Sequence, residues 1–218
     1  MFTDISQIVM SVGRITNNGV ELLGTAFLLD KNGLFATAAH VVGNDDAGLC
    51  IITNKNSSIQ DYQDTTDNTV TPISAKISHI NPIYDVCILK TNLQISSKIE
   101  LSSTDQVSVG DDVYVFGYPH SNHGRKVLTQ QNTHIGAKVL IDTAGLKAKN
   151  LILNIQARPG QSGGPVISKN SLKIVGMILG SYAPKSNGGI SLGGIDPQTL
   201  HQTTHAISAE YIREMLKS

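Results

Sequence analysis

The sequence lacks tryptophan, contains few aromatic residues and has only two cysteines. Because aromatic residues make up just 5% of the 218 residues, a core of this chain must be built mainly from aliphatic side chains. Cys50 and Cys87 cannot form a disulfide framework, so the fold does not require an oxidising compartment. Both lie within apolar runs, and we expect buried free thiols in strands rather than a disulfide or a metal site.

An excess of charge and long apolar runs are also absent. The chain has 17 basic residues (lysine and arginine) and 17 acidic residues (aspartate and glutamate). It therefore has no excess of positive charge that would attract nucleic acid or an anionic membrane. No apolar stretch approaches the roughly 20 residues of a membrane-spanning helix. The N-terminal segment carries Asp4 and no basic residue before Arg14, unlike a signal peptide. We therefore expect a cytoplasmic protein with no nucleic-acid or membrane partner, although unconventional secretion stays open.

Short apolar runs recur along the chain with turn residues between them. Runs 26–29 and 34–38, for example, flank an Asn-Gly pair that is typical of tight hairpins. Many short strands at this spacing predict an all-β sandwich or barrel. Only the C-terminal end has a helical pattern, with Ser208 in position to cap a helix over the residues that follow.

The segment 158–166, with sequence RPGQSGGPV, surrounds Ser162 with glycines. A nucleophilic serine needs an exposed hydroxyl and backbone N–H groups aimed at the substrate oxyanion. Flanking glycines permit the unusual backbone angles of such a turn and a close approach of substrate. In that geometry the N–H groups of Gly160 and Ser162 would be the oxyanion donors. A plain glycine-rich turn between strands is the competing interpretation.

Two further segments place a histidine and an aspartate at the ends of apolar strands. His40 follows the small residues of segment 37–39, which leave room for its ring to turn toward a cleft. Asp85 opens the apolar run 86–90, where a buried carboxylate needs a hydrogen-bond partner such as a histidine Nδ1–H. Each residue alone also has a purely structural interpretation: His40 as a hydrogen-bonded structural histidine, and Asp85 as part of an Asx-turn ahead of a strand.

Together these segments resemble the chymotrypsin-like serine proteases, and especially the bacterial trypsin-like group that includes the HtrA-type proteases. His40, Asp85 and Ser162 match the family's three catalytic boxes in type and order. Segments 24–30, 109–119 and 205–208 are similar to the group's opening hairpin, its entry into the second barrel and its last strand. The resemblance covers nearly the whole chain and leaves no residues for a C-terminal PDZ domain.

The resemblance implies an all-β fold of two perpendicular six-stranded barrels with a short C-terminal helix. Residues 1–105 would form the first barrel, with His40 and Asp85, and residues 106–218 the second, with Ser162 and the helix. It also implies a serine endopeptidase that cleaves a protein or peptide substrate through an acyl-enzyme, with no metal and no cofactor. The absence of a signal peptide favours regulatory cleavage of a partner over general degradation.

The resemblance also locates the pocket for the substrate side chain before the scissile bond, P1. Its expected lining residues are Gln156, Leu179, Gly180, Ser181 and His205. Gln156 stands near the position where trypsins carry an acid, so we expect no preference for a basic P1 residue. His205 gives the hypothesis of an acidic or polar P1 preference, with a packed polar core residue as the alternative. Ser181 is also a candidate hydroxyl to brace the catalytic aspartate.

One position departs from the digestive members of the family. Gln161 stands where those enzymes carry an aspartate that pairs with a new N-terminus released by zymogen cleavage. Gln161 has no charge to form that pair, so we predict that cleavage after Arg14 is not an activation step. His120, His123 and His134 are interpreted as solvated loop histidines rather than metal ligands.

Two other functions compete with a protease. The GQSGG sequence also fits the nucleophile elbow of α/β-hydrolase esterases, with Asp196 and His201 or His205 as partners of Ser162. That elbow must lead into a helix, whereas residues 163–168 lead into a β-rich run, which argues against it. A catalytically silent protease fold used for binding or scaffolding is the second alternative. Such proteins usually lose a catalytic residue or an oxyanion glycine, and this sequence has lost neither.

Overall fold

The computed structural model describes residues 5–30, 32–95, 100–182 and 203–217. These residues form thirteen strands and three short α-helices. The first half contains α1 (Ile5–Ile8), β1 (Val9–Thr16), β2 (Gly19–Leu28), β3 (Leu34–Ala38), α2 (Ala39–Val42), β4 (Leu49–Ile52), β5 (Pro72–Ser74), β6 (Lys76–Asn81) and β7 (Val86–Lys90). The second half contains β8 (Asp112–Gly117), β9 (Thr129–Thr143), β10 (Leu146–Leu153), β11 (Pro165–Ser168), β12 (Ile174–Tyr182), β13 (Thr203–Ser208) and α3 (Ala209–Met215).

The first sheet has the strand order β5-β4-β1-β2-β3-β7-β6. Its two edge strands, β5 and β6, are separated in sequence by Ala75 alone. The sheet must therefore curl until its edges meet, and the backbone N–H of Ala75 donates to the carbonyl oxygen of Leu49 at 2.9 Å. Counted as one strand bent at Ala75, β5 and β6 give the six strands expected of the first barrel.

The second sheet is a closed barrel of six strands in the order β10-β13-β12-β11-β8-β9. Its interior is aliphatic, as the scarcity of aromatic residues predicts. The buried residues of this core are Val107, Val113, Val115, Ile135, Leu151, Leu153, Ala157, Val166, Val175, Ile178 and Ala206. The predicted boundary at residues 105 and 106 falls within a short 3-10 turn, Thr104–Gln106, between the two sheets.

Side chains from both sheets meet in one buried cluster. Phe27 and Val86 come from the first sheet, and Phe116 and Tyr118 lie on and just after β8. The Tyr118 hydroxyl is 3.2 Å from the carbonyl oxygen of Val9 and 2.5 Å from Asn54 Oδ1. This shared core fixes the position of the first sheet relative to the loops of the second.

The C-terminal helix α3 lies where the sequence predicts it, and Ser208 occupies its N-cap position. The Ser208 hydroxyl does not cap the helix, however, because it accepts a hydrogen bond from the backbone N–H of Thr104 at 3.1 Å. Tyr211 of this helix stacks on Tyr84, with ring centroids 4.2 Å apart, so α3 packs beside the turn that carries Asp85. No helix in the described ranges is both long and apolar enough to cross a membrane.

The two cysteines are free and buried in β4 and β7, which confirms the sequence-based expectation. Burial raises the pKa of Cys50 to about 11 and that of Cys87 to about 12. A protonated thiol in an apolar environment is unreactive. Both residues therefore serve as packing groups.

Candidate active site

His40 lies at the point where strand β3 ends and the single turn α2 begins. The small residues Ala38 and Ala39 that precede it are buried in the core. The backbone can therefore turn sharply at this point without displacing a large side chain. The imidazole is left half-exposed at the surface.

Asp85 ends a tight turn between β6 and β7. The Asx-turn here is made by Asn81, whose Oδ1 accepts from the N–H groups of Ile83 and Tyr84 at 3.0 and 3.2 Å. Asp85 itself adopts a φ of 54°, in the left-handed region that aspartate tolerates better than most residues. Strained backbone of this kind clusters at functional sites.

Three hydrogen bonds join Asp85 to the start of α2. Its carbonyl oxygen accepts from Ala39 N at 3.1 Å, and its Oδ1 accepts from His40 N at 2.8 Å. Its Oδ2 lies 2.6 Å from His40 Nδ1. A carboxylate can only accept, so Nδ1 carries the proton and Nε2 is the ring nitrogen left for another partner.

Ser162 lies in the loop before β11, and its geometry depends on Gly163. Gly163 has a φ of 85°, and a Cβ at this position would clash with the backbone of Thr25. The Ser162 hydroxyl donates to the carbonyl oxygen of Leu179 at 2.8 Å rather than to His40. Ser162 and His40 nevertheless line the same open cavity, together with Val41.

Every carbonyl oxygen from residue 159 to residue 162 accepts a hydrogen bond. In chain order, the donors are His120 N at 2.6 Å, Thr25 Oγ1 at 2.7 Å, Gly164 N at 3.0 Å and Thr25 N at 3.0 Å. In a trans peptide the N–H points opposite to the preceding C=O, so the N–H groups of Gly160 and Ser162 point away from these donors. Neither N–H donates to another group of the described chain, and both are available to an incoming oxygen.

Thr25 is a residue that the sequence analysis did not single out. It is fully buried on β2, and it bonds the carbonyl oxygens of Gly160 and Ser162 with its hydroxyl and its N–H. The one signal in the sequence is a polar residue directly before the apolar run 26–29. That signal does not reveal its partners, the nearer of which, Gly160, is 135 residues further along the chain.

Gln161 is fully buried beneath the loop. Its Oε1 accepts from the backbone N–H of Arg158 at 2.7 Å, and its Nε2 donates to Gln131 Oε1 at 2.8 Å. The hydrogen bonds of the Gln161 side chain are thus made by neutral groups, and none of them requires the amine of a new N-terminus. Arg14 lies inside β1, paired with β2 on one side and β4 on the other, so its peptide bond is not in an accessible loop.

Three of the expected pocket residues, Leu179, Gly180 and Ser181, lie on β12 beside Ser162. Ser181 does not brace Asp85, because its hydroxyl donates to the carbonyl oxygen of Ala157 at 3.0 Å. This bond links β12 to the segment that leads to Ser162.

The other two expected pocket residues lie on the neighbouring parts of the second barrel. Gln156 is half-buried just after β10. His205 is on β13 opposite Gly180. Burial lowers the pKa of the His205 imidazole below its usual range.

The chain after Ser162 does not form the helix that an esterase elbow requires. It turns at residues 163–164 and enters the strand β11, which removes the α/β-hydrolase alternative. Asp196 and His201, the partners considered for that alternative, lie outside the described residues.

Among the described residues, the histidines outside this site do not converge. His120 and His123 flank a short turn with ring centroids 6.5 Å apart, and His134 lies 2.7 Å from Asp112 through Nδ1. Within the described ranges, no three potential metal-binding side chains lie together.

Solved structures with the same fold include proteases. The chain is similar to the MamO protease domain from Magnetospirillum magneticum, with a TM-score of 0.67, 14% identity and coverage of 98% of both chains. It is also similar to the HtrA-type protease AlgW with a decapeptide, with a TM-score of 0.69, 16% identity and coverage of 98% of this chain and 64% of that one. These similarities confirm the fold class expected from the sequence.

A curated relative is the probable periplasmic serine endoprotease DegP-like of Rickettsia conorii. It is 27% identical over 163 residues, which cover 74% of this chain and 29% of the relative. The chain thus spans less than a third of that protein's length. The relative's name places it in the periplasm, so the comparison does not support the cytoplasmic location expected from the sequence.

The family model described as a trypsin-like peptidase domain matches residues 24–177. This range is more than half of the 218 residues. It runs from β2 to β12 and includes His40, Asp85 and Ser162. The chain therefore belongs to the trypsin-like peptidase domain family.

Proposed function

We propose that this chain is a serine endopeptidase whose catalytic residues are His40, Asp85 and Ser162. The observation that supports it best is the pair of hydrogen bonds that His40 donates to the Asp85 carboxylate, beside a loop with two N–H groups that donate to no group of the described chain. The first orients a general base, and the second offers an oxyanion site next to a hydroxyl. The family match supports the same reaction.

In the proposed reaction, Ser162 Oγ attacks the scissile carbonyl carbon while its proton passes to His40 Nε2. To do so, the hydroxyl must rotate from Leu179 toward His40. The N–H groups of Gly160 and Ser162 stabilise the tetrahedral oxyanion. His40 then protonates the leaving amine, which gives an acyl-enzyme and a free amino group. Water, deprotonated by His40, hydrolyses the ester and restores Ser162. Asp85 holds the ring and stabilises the imidazolium.

The contacts beside Ser162 favour a small P1 side chain. The recess for P1 lies between the segment before Ser162 and β12, since Leu179 and Gly160 both flank the serine. The Ser181 hydroxyl bonds the carbonyl oxygen of Ala157 at 3.0 Å and so joins these two walls, from which we infer a shallow recess. Burial of His205 lowers its pKa and so disfavours a positive charge at this position, which weakens the hypothesis of an acidic P1 preference.

We further propose that the chain carries out regulatory cleavage of a protein partner rather than general degradation, with a shallow P1 recess excluding sites that have large P1 side chains. Digestion of an unfolded proteome, followed by sequencing of new N-termini, would test this proposal. A narrow set of sites with small P1 residues is expected. Cleavage after residues of every size would contradict it.

The activity itself is tested with purified chain and an unstructured protein substrate. We expect wild type to release internal fragments, and Ser162→Ala to release none while it keeps the wild-type circular dichroism spectrum. A silent binding module would bind peptides without cutting them. Equal cleavage by wild type and Ser162→Ala would overturn the proposal.

A further inference from the structure

We propose that Thr25 is a positioning residue for the oxyanion site: its hydroxyl holds the loop that carries the N–H groups of Gly160 and Ser162. Thr25 belongs to the first sheet, whereas Gly160 and Ser162 lie in the loop that joins β10 and β11 of the second sheet. This inference rests on the proposed function, and it assigns a role to a residue outside the three catalytic boxes.

The orientation of the Thr25 hydroxyl is fixed by its two partners. The backbone N–H of Tyr118 lies 3.1 Å from Oγ1 and can only donate, so Oγ1 accepts there. The hydroxyl proton must then go to the carbonyl oxygen of Gly160, 2.7 Å away. The residue is fully buried, so water cannot replace either bond.

Thr25 holds the loop on both sides of Gln161. Its backbone N–H bonds the carbonyl oxygen of Ser162 at 3.0 Å, while its side chain bonds that of Gly160. Of the four donors to carbonyls 159–162, only the Thr25 hydroxyl belongs to a side chain. It is therefore the one donor that a substitution can remove without a change to the backbone.

The bond matters because glycine does not hold its own conformation. Gly160 has a φ of 92°, and without a Cβ it rotates between backbone regions at little cost. The N–H of Gly160 belongs to the preceding peptide plane, whose carbonyl oxygen on Pro159 is held by His120 N at 2.6 Å. The Thr25 hydroxyl holds the peptide plane that follows Gly160, and this plane connects the two planes that carry the Gly160 and Ser162 N–H groups. Without the hydroxyl, only the bond from Gln161 N to the carbonyl oxygen of Arg158 holds that connecting plane, so the two N–H groups lose part of their fixed relative direction and the oxyanion site is less preorganised.

Thr25→Val removes the hydroxyl and keeps the shape of the side chain. We expect kcat to fall by about 10²-fold, the effect of losing one oxyanion donor, while KM stays close to the wild-type value. Thr25→Ser keeps the hydroxyl and should restore kcat. Thr133→Val is the matched control, because Thr133 is also buried and its hydroxyl has no partner in the described structure.

A second measurement is independent of turnover. Amide hydrogen exchange of residues 158–164 should be faster in Thr25→Val than in wild type and in Thr25→Ser. An inactive wild type would refute the proposed function, whereas an active wild type with an equally active Thr25→Val would refute only the role of Thr25. If Thr25→Val does not fold, Thr25→Ser decides: wild-type kcat supports the role of the hydroxyl, and loss of kcat contradicts it.

Discussion

Asp85 binds His40 through both of its carboxylate oxygens, one on the backbone N–H at 2.8 Å and one on Nδ1 at 2.6 Å. The backbone contact fixes where α2 begins, and the ring contact fixes which nitrogen carries the proton. A single side chain thus sets both the position and the tautomer of the proposed general base.

Asp85→Asn should lower kcat by about 10⁴-fold, because an amide can donate to Nδ1 and favour the wrong tautomer. Asparagine tolerates the left-handed backbone of this position, so the fold should persist. The measurement is steady-state cleavage of a peptide together with a thermal unfolding curve. Asp112→Asn, which alters the exposed pair of Asp112 with His134, is the control and should retain wild-type kcat. Equal rates in both variants would contradict the role of Asp85.

The chain should be active without proteolytic processing. Gln161 takes the place of the acid that would pair with a new N-terminus, and Arg14 lies within a paired strand. Intact-mass spectrometry of an active sample should show the uncut chain. A chain that stays inert until it is cut after Arg14 would refute this prediction.

Gln161→Leu should destabilise the loop that carries Ser162. The substitution leaves the Arg158 N–H and the Gln131 amide without their buried partner, which costs about 1–3 kcal/mol in free energy of unfolding. Chemical denaturation measures this loss. An unchanged midpoint would show that the Gln161 contacts do not hold the loop.

Much of this fold and site can be predicted from local patterns. Short apolar runs specify strands, and His40, Asp85 and Ser162 each lie in a segment whose residues suit the local turn. The partners of Thr25, Ser181 and Ser208 could not be predicted in the same way. Each bonds an atom distant in sequence, such as Thr104 N for Ser208, and a hydroxyl gives no local sign of which distant backbone group it will meet.

Ser181→Gly should widen the choice of P1 residue. Without the hydroxyl, the bond to Ala157 is lost and the recess beside Ser162 deepens. We expect kcat/KM for leucine or phenylalanine at P1 to rise by about tenfold relative to alanine, the scale of a few buried methylenes. A series of peptides that differ only at P1 measures the ratio. His205→Ala in the same series tests the acidic or polar P1 hypothesis, which an unchanged profile would remove.

Cys50 and Cys87 should resist thiol reagents in the folded protein. Burial raises their pKa to about 11 and about 12, so at pH 8 the reactive thiolate is scarce and inaccessible. Ellman's reagent should detect no thiol in the native chain and two in denaturant. Rapid labelling of the native chain would contradict the packing of β4 and β7.

The central claim is that Ser162 is a nucleophile activated by His40. Its most direct measurement is the mass shift after reaction with a fluorophosphonate, followed by peptide mapping. We predict one adduct, located on Ser162, in wild type, and none in Ser162→Ala or in folded His40→Ala. An unmodified wild type, or an adduct on another serine, would contradict the claim.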